Sequence, residues 1–564
     1  MWQIAFVLLI YLPMVVLIGH YLYHVTMREK TWLDPVMDRI DGVIYKISGV
    51  KQNDMTGKQY VLALILSNAL MVFIGYIVLR IQSVLFLNPN EITNMEATLS
   101  FNTIISFITN TNLQHYSGES GLSYLSQMLV ITFLMFTSAA TGYAACMAFC
   151  RRLVAKKDTL GNFFVDMVRV ITRVLLPISF IVSMILVFQG TPQTFKANET
   201  VQTIEGKMQD LALGPVASLE SIKHVGTNGG GFYGANSTTP FENPTVLTNI
   251  IEILSMMILP GACVIAFGLM VAARRKRALI GKQGMVIFAA MGILFLAGLT
   301  ACYMAEREGN PIISSLGITQ ELGSMEGKEM RFGIAQSALF TTVTTAFTTG
   351  TVNNMHDTLT PIGGMVALFN MMLNVVFGGK GVGLMNMMMY VLLTIFIACL
   401  MIGRTPQFLG KKIEEKEMKL IALCILIHPA IILSFSAIAI STTAGIAGIT
   451  NPGAHGLSQI LYEYASSSAN NGSGFEGLAD NSRFWNVTTG LAMFFGRYLS
   501  IIIQLAIASM LATKLLHSET AGTLKTDNVM FAFMLISIVL MIGALTFLPA
   551  LALGPITEHL QIRS

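Results

Sequence analysis

Residues 218–237 read SLESIKHVGTNGGGFYGANS: a half-length, helix-compatible stretch that runs into a tip of Gly, Asn and Thr. Three other stretches follow the same plan. They are FNTIISFITNTNLQHYSGESG (101–121), AQSALFTTVTTAFTTGTVNN (335–354) and LSQILYEYASSSANNGSGFEG (457–477). Aligning Thr111, Gly229, Gly350 and Gly472 gives spacings of 118, 121 and 122 residues. A fourfold internal repeat of this kind is common in transporters.

Around these stretches the chain is apolar. Of 564 residues only 12% are charged and 53% are hydrophobic, and mean hydropathy is +0.65. Soluble chains are about a quarter charged, so this composition excludes a soluble multidomain enzyme, and it excludes a disordered chain as well. A net charge of +4 gives no nucleic-acid footprint. The six cysteines, Cys146, Cys150, Cys263, Cys302, Cys399 and Cys424, lie in or beside apolar runs without a CxxC pair, so neither zinc nor a disulfide framework is indicated. The 36 methionines are scattered through the spans and read as flexible packing.

Ten runs are long enough to cross a bilayer, near 3–25, 60–86, 122–150, 163–190, 246–272, 283–304, 361–403, 420–444, 484–513 and 528–551. The fold class expected is therefore an all-α integral membrane protein. Four membrane–pore-loop–membrane repeats (60–150, 151–272, 273–403, 404–513) are flanked by 1–59, with the first helix, and 514–564, with the last. The first run has no basic residue before it and no cleavage site after it, so it reads as a retained helix. Basic residues alternate between connections. Arg28, Lys30, Arg39, Lys46, Lys51 and Lys58 follow the first run, and 88–121 has none. Arg151, Arg152, Lys156 and Lys157 follow the third; Arg274, Arg275, Lys276, Arg277 and Lys282 the fifth; Arg404, Lys411, Lys412, Lys416 and Lys419 the seventh. By the positive-inside rule, these connections are cytoplasmic and both termini are extracellular.

The half-length stretches are too short to span and read as re-entrant. Irregular backbone at that depth must be buried in protein or line a cavity. Four tips would meet at a pseudo-fourfold axis, each short helix aiming its negative carboxyl end inward. Converging tip carbonyls are the arrangement that replaces the water shell of a potassium ion. Gly, and to a lesser degree Asn, tolerate the backbone angles needed.

The words TNTNLQHYSGE (109–119), GTNGGGFYGANSTTPFENPT (226–245), FTTGTVNN (347–354), GGKGVGLMN (378–386) and SSANNGSGFEGL (467–478) resemble the KdpA family, the potassium-binding subunits of bacterial Kdp potassium-transporting ATPases. The resemblance covers essentially the whole chain. It implies a potassium filter formed by Asn110, Thr111 and Asn112; Thr227, Asn228 and Gly229; Thr349, Gly350 and Thr351; and Asn470, Asn471 and Gly472. It implies that Gln114 stands beside the ion entrance. Leu113 departs from the family, where an aromatic is expected, and Thr349 stands where relatives often have Cys. The implied partners are a P-type ATPase catalytic subunit, a single-span accessory subunit and a small hydrophobic peptide, all in the bacterial plasma membrane.

The chain has no DKTGT and no GxxxxGK[ST] motif, so it is expected to pass the ion without cleaving ATP. GGKGVG at 378–383 lacks the following Ser or Thr and lies in an apolar run. Potassium is the transported ion, and no organic cofactor is expected. A stand-alone potassium channel or an ion-gradient-driven carrier of the same superfamily is the competing reading.

The seventh run is overlong and is interrupted by Gly378, Gly379, Gly381 and Gly383, with Lys380 at mid-depth. This segment is a candidate gate below the third tip, with a static break as the alternative. Asp166, Arg169 and Arg173 read as local pairing or a cytoplasmic coupling contact, and Arg497 needs a partner or a cavity. Glu252 reads as wet, near the outer end of its span. His115 and His224 flank the tips without a sequence-local metal pattern.

Overall fold

The computed structural model describes residues 2–154, 160–274, 281–518 and 523–564. Lys156, Lys157, Arg275, Lys276 and Arg277 lie outside the described residues. Among the described residues, ten helices are long and apolar enough to cross a membrane: Trp2–Met27, Gly57–Arg80, Tyr124–Val154, Phe163–Phe188, Val246–Arg274, Lys282–Ser315, Val382–Met401, Glu415–Ile440, Arg483–Ala512 and Val529–Arg563. The chain is thus a multi-pass membrane protein.

The first helix shows why its sequence settles where it does. Val7, Tyr11, Val15 and Leu22 fall on one face and are buried, whereas Leu9, Leu12 and Leu17 face outward as a lipid-compatible surface. The buried face packs along Val246–Arg274. That span lies at the centre of the fold, with 94% of its most apolar window buried.

Four half-length helices, Ala97–Ile108, Val216–Val225, Gly333–Ala346 and Ala454–Ala469, each follow one of the spans. The first starts on Glu96, whose side chain accepts from the N–H groups of Thr98 and Leu99, satisfying orphan donors at its N-terminus. The four units close into a ring. The helix Gly333–Ala346 packs on Val246–Arg274 of the unit before it, and Ala454–Ala469 packs on Pro361–Leu373. Closure comes where Arg483–Ala512 of the fourth unit packs on Ala97–Ile108 of the first.

The connections sort into two groups. The segments leading into and out of the half-length helices bond to one another, as in Arg331 Nη1 to the Asn243 carbonyl (2.6 Å) and the Asp357 N–H to Glu476 (3.1 Å). One of them carries the antiparallel pair Glu199–Gln202 and Met208–Leu211. The basic connections likewise bond to one another, as in Asn162 Nδ2 to the Lys51 and Asn53 carbonyls (2.8 Å each) and Lys411 Nζ to the Arg152 carbonyl (2.9 Å).

On that basic side, two clusters of charge are paired. Arg173 is ringed by Asp34 (2.8 Å), Asp38 (2.5 Å) and Asp41 (2.5 Å) of the surface helix Asp34–Ser48. Asp166 pairs with Arg151 and with Arg28 (3.1 Å) and accepts from the Tyr60 hydroxyl (3.1 Å). Local pairing accounts for Asp166 and Arg173.

Candidate functional site

Each half-length helix ends in the same backbone device. The N–H groups of Thr111, Asn228, Thr349 and Asn471 donate to the carbonyls of Ser106, Lys223, Thr344 and Ser466, each five residues back, at 3.0, 2.8, 2.9 and 2.9 Å. The residue just before each donor is left-handed: Asn110 (φ 65°), Thr227 (42°), Thr348 (49°) and Asn470 (57°). This equivalence sets the register of the tips. Asn112, Gly229, Gly350 and Gly472 occupy one position. The third triplet is therefore Thr348–Gly350, one residue earlier than the sequence register of Thr349–Thr351, and Asn112 rather than Thr111 aligns with the three glycines. Thr348 gave no sequence signal because a β-branched residue is a poor candidate for a left-handed angle.

The four tips meet at one place. A Cβ on Gly229 would lie 2.6 Å from the Thr111 carbonyl oxygen and 2.9 Å from that of Asn471. On Gly350 it would lie 2.0 Å from the Asn471 oxygen and 2.9 Å from Gly229 Cα. On Gly472 it would lie 2.0 Å from the Thr111 oxygen. Backbones from all four repeats are in contact here, and at Gly229, Gly350 and Gly472 there is no room for a Cβ.

Hydrogen bonds within and across repeats hold the tips. Asn110 Nδ2 donates to the Thr227 carbonyl (2.6 Å) and its Oδ1 accepts from Ser138 (3.1 Å). Asn470 Nδ2 donates to Thr111 Oγ1 (2.9 Å), and Asn471 Nδ2 to the Thr344 carbonyl (2.8 Å). Thr351 Oγ1 bonds Asn236 (3.0 Å), and the Gly472 N–H bonds Ser466 Oγ (3.0 Å). Asn112 stands apart: it is fully buried, and neither atom of its amide has a hydrogen-bond partner. Leu113 is buried, with its carbonyl held by Ser106 Oγ at 2.8 Å.

Gln114 makes a two-point contact with the second loop. Its Nε2 donates to the Gly231 carbonyl (3.0 Å) and its Oε1 accepts from the Gly231 N–H (2.8 Å). Just beyond it, His115 bonds Asn486 (2.7 Å), Glu463 (3.2 Å) and faces Asp480 (3.8 Å). Burial opposes its charge, but Asp480 and Glu463 outweigh this and raise its pKa to about 9. His224 likewise lies among carboxylates, Glu220 and Glu252, and Glu252 is fully buried rather than wet. The first grouping joins segments about 350 residues apart, and the second adds Glu252 of the next span to the pair Glu220 and His224 on one helix, so neither is complete within one stretch of sequence.

On the other side of the tips lies the broken segment between Pro361–Leu373 and Val382–Met401. Asn374, Phe377, Gly378 and Gly381 all have positive φ. The Gly378 N–H donates to the Ala346 carbonyl (2.8 Å), and Asn374 Nδ2 to the Ala469 carbonyl (3.3 Å), tying the segment to the ends of two half-length helices. A Cβ on Gly379 would sit 3.6 Å from Thr227 Oγ1 and 3.7 Å from the Thr348 oxygen. Lys380 reaches the same hydroxyl with both its N–H (3.3 Å) and its Nζ (3.4 Å). Gly381 packs on Cys146 and Tyr143, and Gly383 on Phe377 and Gly378. Arg497 is buried nearby, with Nη2 directed at the Ser138 carbonyl (3.4 Å). Among the described residues, neither Lys380 nor Arg497 has a carboxylate within ion-pair distance. Cys146 Sγ lies 3.8 Å from Cys150 Sγ, and all six cysteines are free and buried.

Comparison with known proteins accords with this architecture. A potassium-transporting ATPase potassium-binding subunit of Clostridium acetobutylicum is 59% identical over 561 residues, covering 99% of each chain. One of Geobacillus kaustophilus is 55% identical, covering 100% of this chain and 99% of its own. Among solved structures, the potassium transporter TrkH of Vibrio parahaemolyticus superposes with a TM-score of 0.52 at 13% identity, covering 89% of this chain and 98% of its own, a likeness of fold. Residues 5–560 match the family described as KdpA, potassium-transporting ATPase A subunit, and the chain belongs to that family.

Proposed function

We propose that this chain is the potassium-binding and translocating subunit of an ATP-driven potassium pump, with its filter at the meeting point of the four tips. The observation that carries the reading is the contact of Thr111, Gly229, Gly350 and Asn471–Gly472 backbones at one site, in a chain whose relatives are named potassium-binding subunits. Four pore helices place the negative ends of their dipoles toward that site. Backbone carbonyls there substitute for the hydration shell of a potassium ion. The site residues are Asn110–Asn112, Thr227–Gly229, Thr348–Thr351 and Asn470–Gly472. The first flanking segment, 1–59, the repeats 60–150, 151–272, 273–403 and 404–513, and the last segment, 514–564, are the working division of the chain.

Gln114 acts at the ion entrance by fixing the first and second loops to each other through Gly231. On the exit side, Gly378–Gly383 is the gate. Lys380 hangs from Thr227, so that movement of the segment is felt at the second tip. A cation at this depth repels an ion leaving the filter. The basic connections face the cytoplasm and both termini the exterior of a bacterial plasma membrane. ATP hydrolysis belongs to a P-type partner chain, assembled with a single-span subunit and a small hydrophobic peptide.

The test has two arms. Purified complex should show potassium-stimulated ATP hydrolysis, whereas the chain alone in liposomes should show neither hydrolysis nor concentrative uptake. Accumulation of potassium by the chain alone, driven by a sodium or proton gradient, would replace this reading with that of a carrier.

A further inference from the structure

We propose that Glu220, His224 and Glu252 form a buried site for a divalent transition-metal cation of the zinc type, bracing the second pore helix against its neighbouring span. Glu220 and His224 are one turn apart on the helix Val216–Val225, and Glu252 comes from Val246–Arg274. One ligand atom from each lies within 4.8 Å of the others, and all three residues are fully buried.

The tautomer of His224 is set by its neighbour. Nδ1 lies 2.8 Å from the Glu220 carbonyl, which can only accept, so Nδ1 carries the hydrogen. In the neutral ring, Nε2 then presents a lone pair. It faces Glu252 Oε2 at 3.4 Å, and neither Nε2 nor either oxygen of Glu252 has a hydrogen-bond partner. Two acceptors pointing at each other in a dry interior require something positive between them.

The surrounding charge points the same way. Lys223 Nζ is bound by Glu220 Oε1 (3.0 Å), Glu242 Oε2 (3.0 Å) and Asn236 Oδ1 (2.6 Å). Glu220 Oε2 lies 2.8 Å from the same ammonium but outside hydrogen-bond geometry. Arg331 is turned toward Glu329 and the carbonyls of Asn243, Pro244 and Thr238. Two buried carboxylates, Glu220 and Glu242, thus flank the Lys223 ammonium, and a third, Glu252, faces His224; with all three ionised the cluster carries two formal negative charges, which one divalent cation neutralises.

Geometry favours a small cation over potassium. Tetrahedral coordination at roughly 2.0–2.1 Å places neighbouring ligand atoms about 3.3 Å apart, matching the 3.4 Å between Nε2 and Oε2. One imidazole nitrogen with carboxylate oxygens is a donor set for zinc-like ions, not for a hard monovalent one. The bound ion would pin Glu220 and His224, three to seven residues before Thr227, to the central span.

The experiment uses the full chain, purified within its assembled complex from zinc-replete medium. About one zinc per chain is expected after gel filtration, falling at least tenfold in Glu252→Gln and in His224→Leu. Replacement by Co2+ in the unmutated protein, after chelation, should give the visible absorption of a tetrahedral cobalt site, a readout independent of whether the variants assemble. The proposal is overturned by metal-free wild-type protein that takes up no Co2+, or by equal metal content in the Glu252→Gln protein. It is overturned equally by an infrared carboxylic-acid band that disappears in Glu252→Gln, because a shared proton would then fill the gap.

Discussion

Gly350→Ala should damage the filter more than any substitution outside the tips. Gly350 has φ +91°, an angle whose occupation by a residue with a side chain costs on the order of 1–3 kcal/mol. The new methyl would also lie 2.0 Å from the Asn471 carbonyl oxygen and 2.7 Å from its carbon. Both are backbone atoms of the fourth tip, so no side chain can swing aside. Restoring an ordinary separation of about 3.5 Å moves that carbonyl by more than about 1 Å, a large fraction of an ion–oxygen distance. At about 1.4 kcal/mol per decade, the strain alone corresponds to a roughly 5- to 150-fold rise in the potassium concentration for half-maximal activity. Discrimination against rubidium, ammonium and sodium should fall with it. The structure supplies a graded series: Gly229→Ala meets its nearest backbone oxygen at 2.6 Å without a positive φ and should be milder, and Gly379→Ala meets nothing nearer than 3.6 Å and should leave selectivity intact. Ion-stimulated ATP hydrolysis and rubidium uptake by the assembled complex in proteoliposomes measure all three. A fully assembled Gly350→Ala complex with unchanged potassium dependence would refute the filter assignment.

Gln114→Arg removes the acceptor for the Gly231 N–H and adds a charge at the mouth, so half-saturation for potassium should rise about tenfold or more, read in the same assay. Lys380→Ala removes the Nζ contact to Thr227 Oγ1 while keeping the backbone N–H one, and should lower the number of ions moved per ATP while leaving ion preference nearly unchanged; equal coupling ratios in mutant and wild type would remove the gate. Gly381→Ala should have a similar effect, because φ is +80° and the methyl would meet Cys146 Cβ at 2.7 Å. His455 lies between Glu558 (2.8 Å) and Asp357 (3.1 Å); burial opposes its charge, but the two carboxylates raise its pKa from 6.5 to about 9. A raised histidine pKa contributes stability that is complete below the unfolded value and is lost as pH rises through the folded one. The melting temperature of His455→Gln should therefore fall below wild type at neutral pH and converge with it above about pH 9.

Much of the architecture was legible in the chain because its causes are local. A bilayer of fixed thickness sets the length of a span, so ten apolar runs announce ten helices. The interruption at 378–383 shows for the same reason: glycines and a lysine cannot continue an apolar span, and the helix breaks there between Leu373 and Val382. The tips are visible because Asn110, Asn470, Gly350 and Gly472 are residues that accept positive φ. Where that preference was absent, at Thr348, the register slipped by one residue in the third repeat. What pairs with what was decided only in three dimensions. Gln114 bonds Gly231 across 117 residues, and Lys380 reaches Thr227 across 153. Glu252 near the outer end of a span reads as solvated until His224 and the rest of the second repeat close over it. Hydropathy and backbone preference act within a turn or two of chain. Hydrogen bonds, ion pairs and the approach of Gly350 to Asn471 depend on how four repeats close into a ring, which no single repeat encodes by itself.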